Sequence, residues 1–272
     1  MRKRERHRND LTPLVEEALN TGDAAPLEQY VVAHSNLPGP RGNLELAQAF
    51  GDVIEALTLQ DPDRVWRLCV QMADRSPRDA PVNAPKELIP FCGAVGVGAI
   101  GATCEERFAP ALALLRTLAG DPRWRMREAV AFGLQRMLET RGVDTLETME
   151  GWVAPSAWFA MRAAAAAVAH PAHLQDRLFA RSALDLHQKI LAHVLVAEDR
   201  RSEPFRVLRK GLAYTVSVVV QAVPEDGFRW MAELAESGDP DVVWILKQNL
   251  RKRRLTRYFA EDVAAIRGML ER

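Results

Sequence analysis

Apolar residues recur at helical spacing along nearly the whole chain. Between Leu44 and Leu59 the pattern runs Leu44, Ala47, Phe50, Ile54, Leu57, and between Ala109 and Leu118 it runs Ala111, Leu114, Leu115, Leu118. Steps of three and four place these residues on one stripe of a helix, whereas a half-buried strand would alternate. No convincing alternation is present. The β-branched run Thr215 to Val220 sits inside a continuing apolar pattern and reads as a buried helix. Helix starts are marked at Asp61-Pro62, Asp121-Pro122 and Asp239-Pro240. In each, the Asp carboxylate can accept from the orphan N–H groups of the first turn, and Pro at the first helical position loses no hydrogen bond. Ala154-Pro155-Ser156 and Glu203-Pro204 precede two further predicted helices.

The longest irregular stretch, Ser76 to Pro90, carries four prolines. It divides the chain into a basic arm (1–10), an N-terminal helical part (11–75), a Pro-rich connection (76–90) and a helical array (91–272) continuous with that N-terminal part. A second loop, Leu37 to Asn43, precedes the helix that starts near Leu44. An internal repeat runs through the C-terminal two thirds. Trp124-x-x-Arg127, Phe159-x-x-Arg162, Phe205-x-x-x-Arg209 and Trp244-x-x-Lys247 each set an aromatic at a helix start and a cation one turn later. The cations are 35, 47 and 38 residues apart, the length of one helix–turn–helix unit. The expected fold is therefore all-α, a HEAT- or armadillo-like solenoid of stacked antiparallel helix pairs.

Composition narrows the partners only slightly. Thirty-six basic and 36 acidic residues cancel over 272 positions, so a preference for nucleic acid must come from a local patch. No apolar run reaches the ~18 residues of a membrane span. The basic start, Met1 to Arg8, lacks the apolar stretch of a signal peptide, which places the protein in the cytoplasm. Cys69, Cys92 and Cys104 are odd in number and form no C-x-x-C, which fits reduced, mostly buried thiols. No metal site and no cofactor are expected.

Three patterns bear on chemistry. Gly96-x-Gly98-x-x-Gly101 matches the dinucleotide-binding spacing, but that motif needs a strand before it and a helix N-terminus after it. Here it lies in a small, apolar stretch of a helical chain, which favours a closely packed helix. His170 and His173 have a spacing that can hold metal, but a proline lies between them and no acid completes the set. Lys247, Arg251, Lys252, Arg253, Arg254 and Arg257 occur with no acid among them. On one helix Lys247, Arg251 and Arg254 share a face, which suits phosphate contacts or, equally, a solvated terminal helix face. Trp124, Trp158, Trp230 and Trp244 either line a groove or pack in the core.

The units starting Asp121-Pro122-Arg123-Trp124 and Asp239-Pro240-Asp241-Val242, within residues 105–257, resemble repeats of the bacterial DNA alkylation repair HEAT-like family. The resemblance implies duplex DNA held on a basic concave face, with Arg127, Lys247, Arg251, Lys252 and Arg254 as contacts. For the glycosylases of that family it implies a tryptophan, an acid one turn later and an arginine from the next repeat, which match Trp124, Glu128 and Arg162. The family's acid is aspartate where this chain has Glu128, and its second tryptophan has no counterpart beyond Phe205. Relatives without activity also exist, so a non-enzymatic scaffold that binds a protein on the same face is the alternative.

Overall fold

Residues 3–271 are described by a computed structural model of the chain, and among them all regular structure is helical. The chain divides into two compact units, 1–145 and 146–272. The first holds α1 (Lys3–Thr21), α2 (Ala25–Ala33), α3 (Leu44–Thr58), α4 (Pro62–Ala73), α5 (Leu88–Thr103), α6 (Glu105–Leu118) and α7 (Trp124–Thr140), and α8 (Gly142–Glu150) runs across the division. The second holds α9 (Trp158–Val168), α10 (Arg177–Leu195), α11 (Glu203–Ala222), α12 (Pro224–Glu236), α13 (Pro240–Asn249), α14 (Arg253–Thr256) and α15 (Ala260–Leu270). Residues 3–10, expected as a basic arm, are the first turns of α1, and Met1 and Arg2 lie outside the described residues. The division at 145/146 falls inside the stretch 91–272 expected as one array, and the Pro-rich segment 76–90 lies within the first unit.

The first unit is organised around α5. Every residue from Leu88 to Ala102 is buried, and the helix packs against α3, α4, α6 and α7. A helix enclosed on so many sides cannot carry polar side chains, and it needs small ones wherever a neighbour comes close. The glycine pattern supplies them. A Cβ on Gly93 would stand 2.3 Å from the Ala73 nitrogen of α4. One on Gly98 would stand 2.3 Å from the Gly133 Cα of α7, and one on Gly101 2.6 Å from the Ala111 Cβ of α6. The dinucleotide-like spacing is thus a set of helix crossings within the core, and no strand precedes it.

Two buried arginines, Arg123 just before α7 and Arg125 in its first turn, hold the Pro-rich segment. Arg125 gives Nη1 to Glu87 Oε2 at 2.9 Å and Nη2 to the Gly39 carbonyl at 2.7 Å. Glu87 is fully buried, and it also accepts from the Asn83 N–H at 2.7 Å. Arg123 gives Nη1 to the Ala80 carbonyl at 3.2 Å. Arg123 also explains why Asp121-Pro122 does not open a helix. Both Asp121 oxygens accept from the Arg123 guanidinium and one accepts from its backbone N–H. With its carboxylate so engaged, helix α7 begins two residues later, at Trp124, with no side-chain cap. Asp61 and Asp239 cap as expected, accepting from Arg64 N and from Asp241 N and Val242 N.

In the second unit α11 packs against α9 and α13. The repeated aromatic–cation pattern serves this packing. The Arg209 guanidinium lies 3.9 Å from the centre of the Trp244 ring, and its Nε is 2.8 Å from Asp241 Oδ1. Trp158 is buried edge-on against Phe205, ring centres 5.4 Å apart, and its indole N–H reaches Asp199 at 3.0 Å. Between α10 and α11 stands His187, which is fully buried. Its Nδ1 donates to the Ala183 carbonyl at 2.8 Å, which leaves Nε2 to accept from the Thr215 hydroxyl at 3.0 Å. That pairing requires the neutral ring, and burial pushes the His187 pKa from its usual 6.5 down to about 4.

Two stability predictions follow from these contacts. In Gly98→Ala the new methyl meets backbone of α7, which cannot swing aside, so the helices must separate at a cost of about 1–3 kcal/mol or more. Gly142, with open space around it, serves as the control. Urea unfolding should show Gly98→Ala destabilised and Gly142→Ala not; an unaltered midpoint for Gly98→Ala would mean that α5 and α7 do not cross there. For His187, the unfolded chain takes up its proton near pH 6.5 and the folded chain only near pH 4. Stability from this group is therefore complete above pH 6.5 and is lost as pH falls towards 4, by about 3 kcal/mol at most. The pH dependence of unfolding between 6.5 and 4 should shrink in His187→Gln; an identical dependence would contradict the assignment.

Candidate nucleic-acid interface

A dense run of cations without acid partners lies at the C-terminal side of α13. The sequence pattern suggested a single helix through Lys247 to Arg257, but α13 ends at Asn249 and a separate short helix, α14, starts at Arg253. The break has a local cause. Asn249 is fully buried and turns its amide into α11. Its Nδ2 donates to the Leu212 carbonyl at 2.9 Å, and its Oδ1 accepts from the Ser217 N–H at 2.8 Å. Leu255 is buried as well, and the Leu250 carbonyl accepts from Arg267 of α15 at 2.7 Å. Segment 250–257 is thereby pinned at both ends to apolar and backbone partners, with its cations turned outward.

The asparagine also fixes what lies beside them. Leu212 and Ser217 bracket Tyr214, which is 50% exposed on α11. Arg254 gives Nη2 to the Tyr214 hydroxyl at 2.8 Å, and its guanidinium carbon lies 4.6 Å from the ring centre. Lys252 Nζ lies 5.6 Å from the same ring. Tyr258, 61% exposed, has the Arg257 guanidinium 5.3 Å from its centre. Lys252, Arg253, Arg254, Arg257 and Tyr258 line a cleft of about 380 Å³ with no carboxylate in its wall. Among the described residues no carboxylate lies within 4.0 Å of a side-chain nitrogen of Lys247, Arg251, Lys252, Arg253, Arg254 or Arg257. Positive potential of this kind attracts phosphates, and arginine over tyrosine is a common frame for stacking.

Of the residues predicted as nucleic-acid contacts, Lys247 and Arg251 are exposed, and Lys252 and Arg254 are half-buried at the cleft. Arg127 differs. It is buried, and its Nη1 donates to the Asp121 and Pro122 carbonyls at 2.8 and 3.2 Å, so it ties down the turn before α7. The residues nominated for catalysis are spread over both units. Trp124, 45% exposed, lies over the Arg125 guanidinium at 4.4 Å, and Glu128 stands one turn further along α7. Arg162 belongs to the second unit, where a Cβ on Gly211 of α11 would stand 3.2 Å from its Cγ. Of the other tryptophans, Trp158 and Trp230 are buried in the core. The sequence reading missed Tyr214 and Tyr258. The Arg257-Tyr258 dipeptide was a local signal for the second, but Tyr214 joins the cluster only through the fold.

The remaining titratable groups are arranged differently. In the first unit a cleft of about 330 Å³ contains His7, Asp10, Tyr30, His34 and Asn43. The Tyr30 hydroxyl donates to Asp10 at 2.8 Å, so His7 Nδ1 carries the proton that meets the Tyr30 oxygen at 2.8 Å, and His7 Nε2 accepts from Asn43 at 3.2 Å. Burial, then the neighbouring His34, lowers the His7 pKa. Lys3, Arg6 and Glu45 complete a wall of mixed charge. His170 and His173 contact each other ring to ring, centres 4.8 Å apart. Among the described residues no group of three or more His, Cys, Asp or Glu is placed to hold a metal ion. Burial pushes the thiols of Cys69, Cys92 and Cys104 above their usual range. No helix among the described residues is long and apolar enough to cross a membrane. No family model, curated protein or solved structure matches the chain.

Proposed function

We propose that the chain binds nucleic acid by its phosphate backbone, at the cation cluster formed by residues 247–257 and Tyr214. One observation carries the proposal: four cations line one cleft, and neither they nor Lys247 and Arg251, which precede them in the chain, have a carboxylate within ion-pairing distance, in a chain whose total charge is zero. Arg125 with Glu87 and Arg200 with Asp239 are, by contrast, matched. Unmatched cations held on an ordered backbone gain most from a ligand that brings several negative charges at regular spacing. Nucleic acid does so, and its condensed counterions are released on binding.

The finer form of the proposal is a HEAT-like DNA-binding array. The position of α11 between α9 and α13 supports stacked repeat helices in the second unit, and the resemblance around residues 121–130 and 239–252 supports the alkylation-repair kinship. The proposal is confined to binding, which is all that a cleft of cations and a tyrosine without a carboxylate supports. A protein with an acidic surface is the rival occupant of the cluster.

Arg253 and Arg257 are exposed and take part in no ion pair, so charge reversal at both leaves the fold intact. Affinity of Arg253→Glu/Arg257→Glu for a nucleic-acid oligomer should fall by roughly tenfold or more, and the slope of log affinity against log salt should flatten by about two. Measurement of binding from about 50 to 200 mM salt reads both quantities. Equal affinity and slope in wild type and variant would mean that these cations are only solvated, and a salt-independent affinity would favour a protein partner.

A further inference from the structure

We infer that the ligand of this cluster is an unpaired nucleic-acid strand, whose bases stack on the tyrosines while the cations hold its phosphates. This rests on the phosphate-binding reading above and names the form of nucleic acid that the cluster selects. The tyrosines carry the inference. The chain has three, and two of them, Tyr214 and Tyr258, stand in this one patch, each at least half exposed. Phosphate binding by itself calls for cations alone and gives no reason to expose two aromatic rings. An exposed ring beside guanidinium groups offers a π-face to any base, whatever its sequence, and base–aromatic stacking stabilises single-strand binding by about 1–3 kcal/mol per base.

The contacts make these rings a platform. The Arg254 guanidinium both lies on Tyr214 and donates to its hydroxyl, so the ring is held in place before a ligand arrives. The backbone under Tyr214 is fixed by Asn249. Tyr258 follows Arg257 directly, so a phosphate bound at the guanidinium lies within one nucleotide's reach of the ring, and Lys252, Arg253 and Arg254 continue the positive wall. In a duplex the base faces are covered by their neighbours and only the backbone is presented. The cations would then be satisfied and the tyrosines would gain nothing. An unpaired strand uses both groups, which is why the cluster favours it.

The test is fluorescence anisotropy with a labelled oligothymidylate of twelve nucleotides, the matching twelve-base-pair duplex, and vesicles containing phosphatidylglycerol, at about 50 mM salt. Wild type, Tyr258→Ala, Tyr258→Phe and Tyr214→Ala are compared. The expected result is tighter binding of the single strand than of the duplex. Tyr258→Ala should lose about five- to a hundredfold on the single strand and little on the duplex, while Tyr258→Phe, which keeps the ring, retains the wild-type affinity. Equal or tighter binding of the duplex, or an alanine variant that weakens both forms alike, would overturn the inference and leave phosphate binding standing. Vesicle binding that depends on Tyr258 as strongly as oligonucleotide binding would overturn it in favour of an anionic lipid surface. Binding of none of the three probes would remove the inference and the phosphate reading together.

Discussion

A guanidinium withdrawn from water has to be met by acceptors on several sides, and this requirement arranges the charges of the whole chain. Arg123, Arg125 and Arg136 are buried within the first unit. Arg136 alone engages Asp52, Glu55 and the Gln48 carbonyl, at 2.9, 3.0 and 2.6 Å. Arg125 and Glu87 form a pair in which both members are nearly or fully buried, and that pair joins α7 to the Pro-rich segment and to the loop at Gly39. Removal of one partner would strand the other charge in the interior, a loss of about 3–5 kcal/mol. Acids committed to such positions are not available elsewhere. Other pairs, such as Lys189 with Glu150 and Arg229 with Asp226, stand at the surface, and the cations of residues 247–257 are left to solvent without an acid.

The presence or absence of acceptors also separates two settings of one sequence pattern. An aromatic with a cation one turn later occurs at Trp124 and Arg127, at the start of α7, and at Trp244 and Lys247, in the middle of α13. Arg127 is buried on backbone carbonyls, while Lys247 is exposed. Arg209 stacks on Trp244 and pairs with Asp241, which fastens α11 to α13. The cation of this pattern is packing material at Arg127, where backbone acceptors surround it, and stands in solvent at Lys247. The spacing is common to both, and the surroundings decide.

Much of the helical architecture was legible in the residues because periodicity is a local property. Of the stripe expected in α3, Ala47, Phe50, Ile54 and Leu57 are buried while Leu44 at its start is half-buried, and Thr215 to Val220 is indeed interior helix. Asp61 and Asp239 cap through Oδ1, while the other oxygen of each meets an arginine, Arg64 and Arg200. Asp121 does not cap, because Arg123 two residues later takes both of its oxygens. The glycine spacing in α5 was legible as close packing, yet which helices approach it is a property of the folded unit. The basic cluster was legible as charge. Its shape was not, since the end of α13 depends on Asn249 reaching into α11, and Tyr214 enters the patch from thirty-odd residues upstream by the same contact.

The central claim is that the exposed cations and tyrosines of the second unit form one ligand surface. Nuclear magnetic resonance of the labelled full chain, titrated with a short oligonucleotide, tests it most directly. Shifts in saturable proportion should concentrate at Tyr214 and at residues 247–258, with the Asn249 side-chain amide among them, while the His7–Tyr30 cleft stays unperturbed. Saturable shifts centred on the His7–Tyr30 cleft, or none at residues 247–258, would contradict the account.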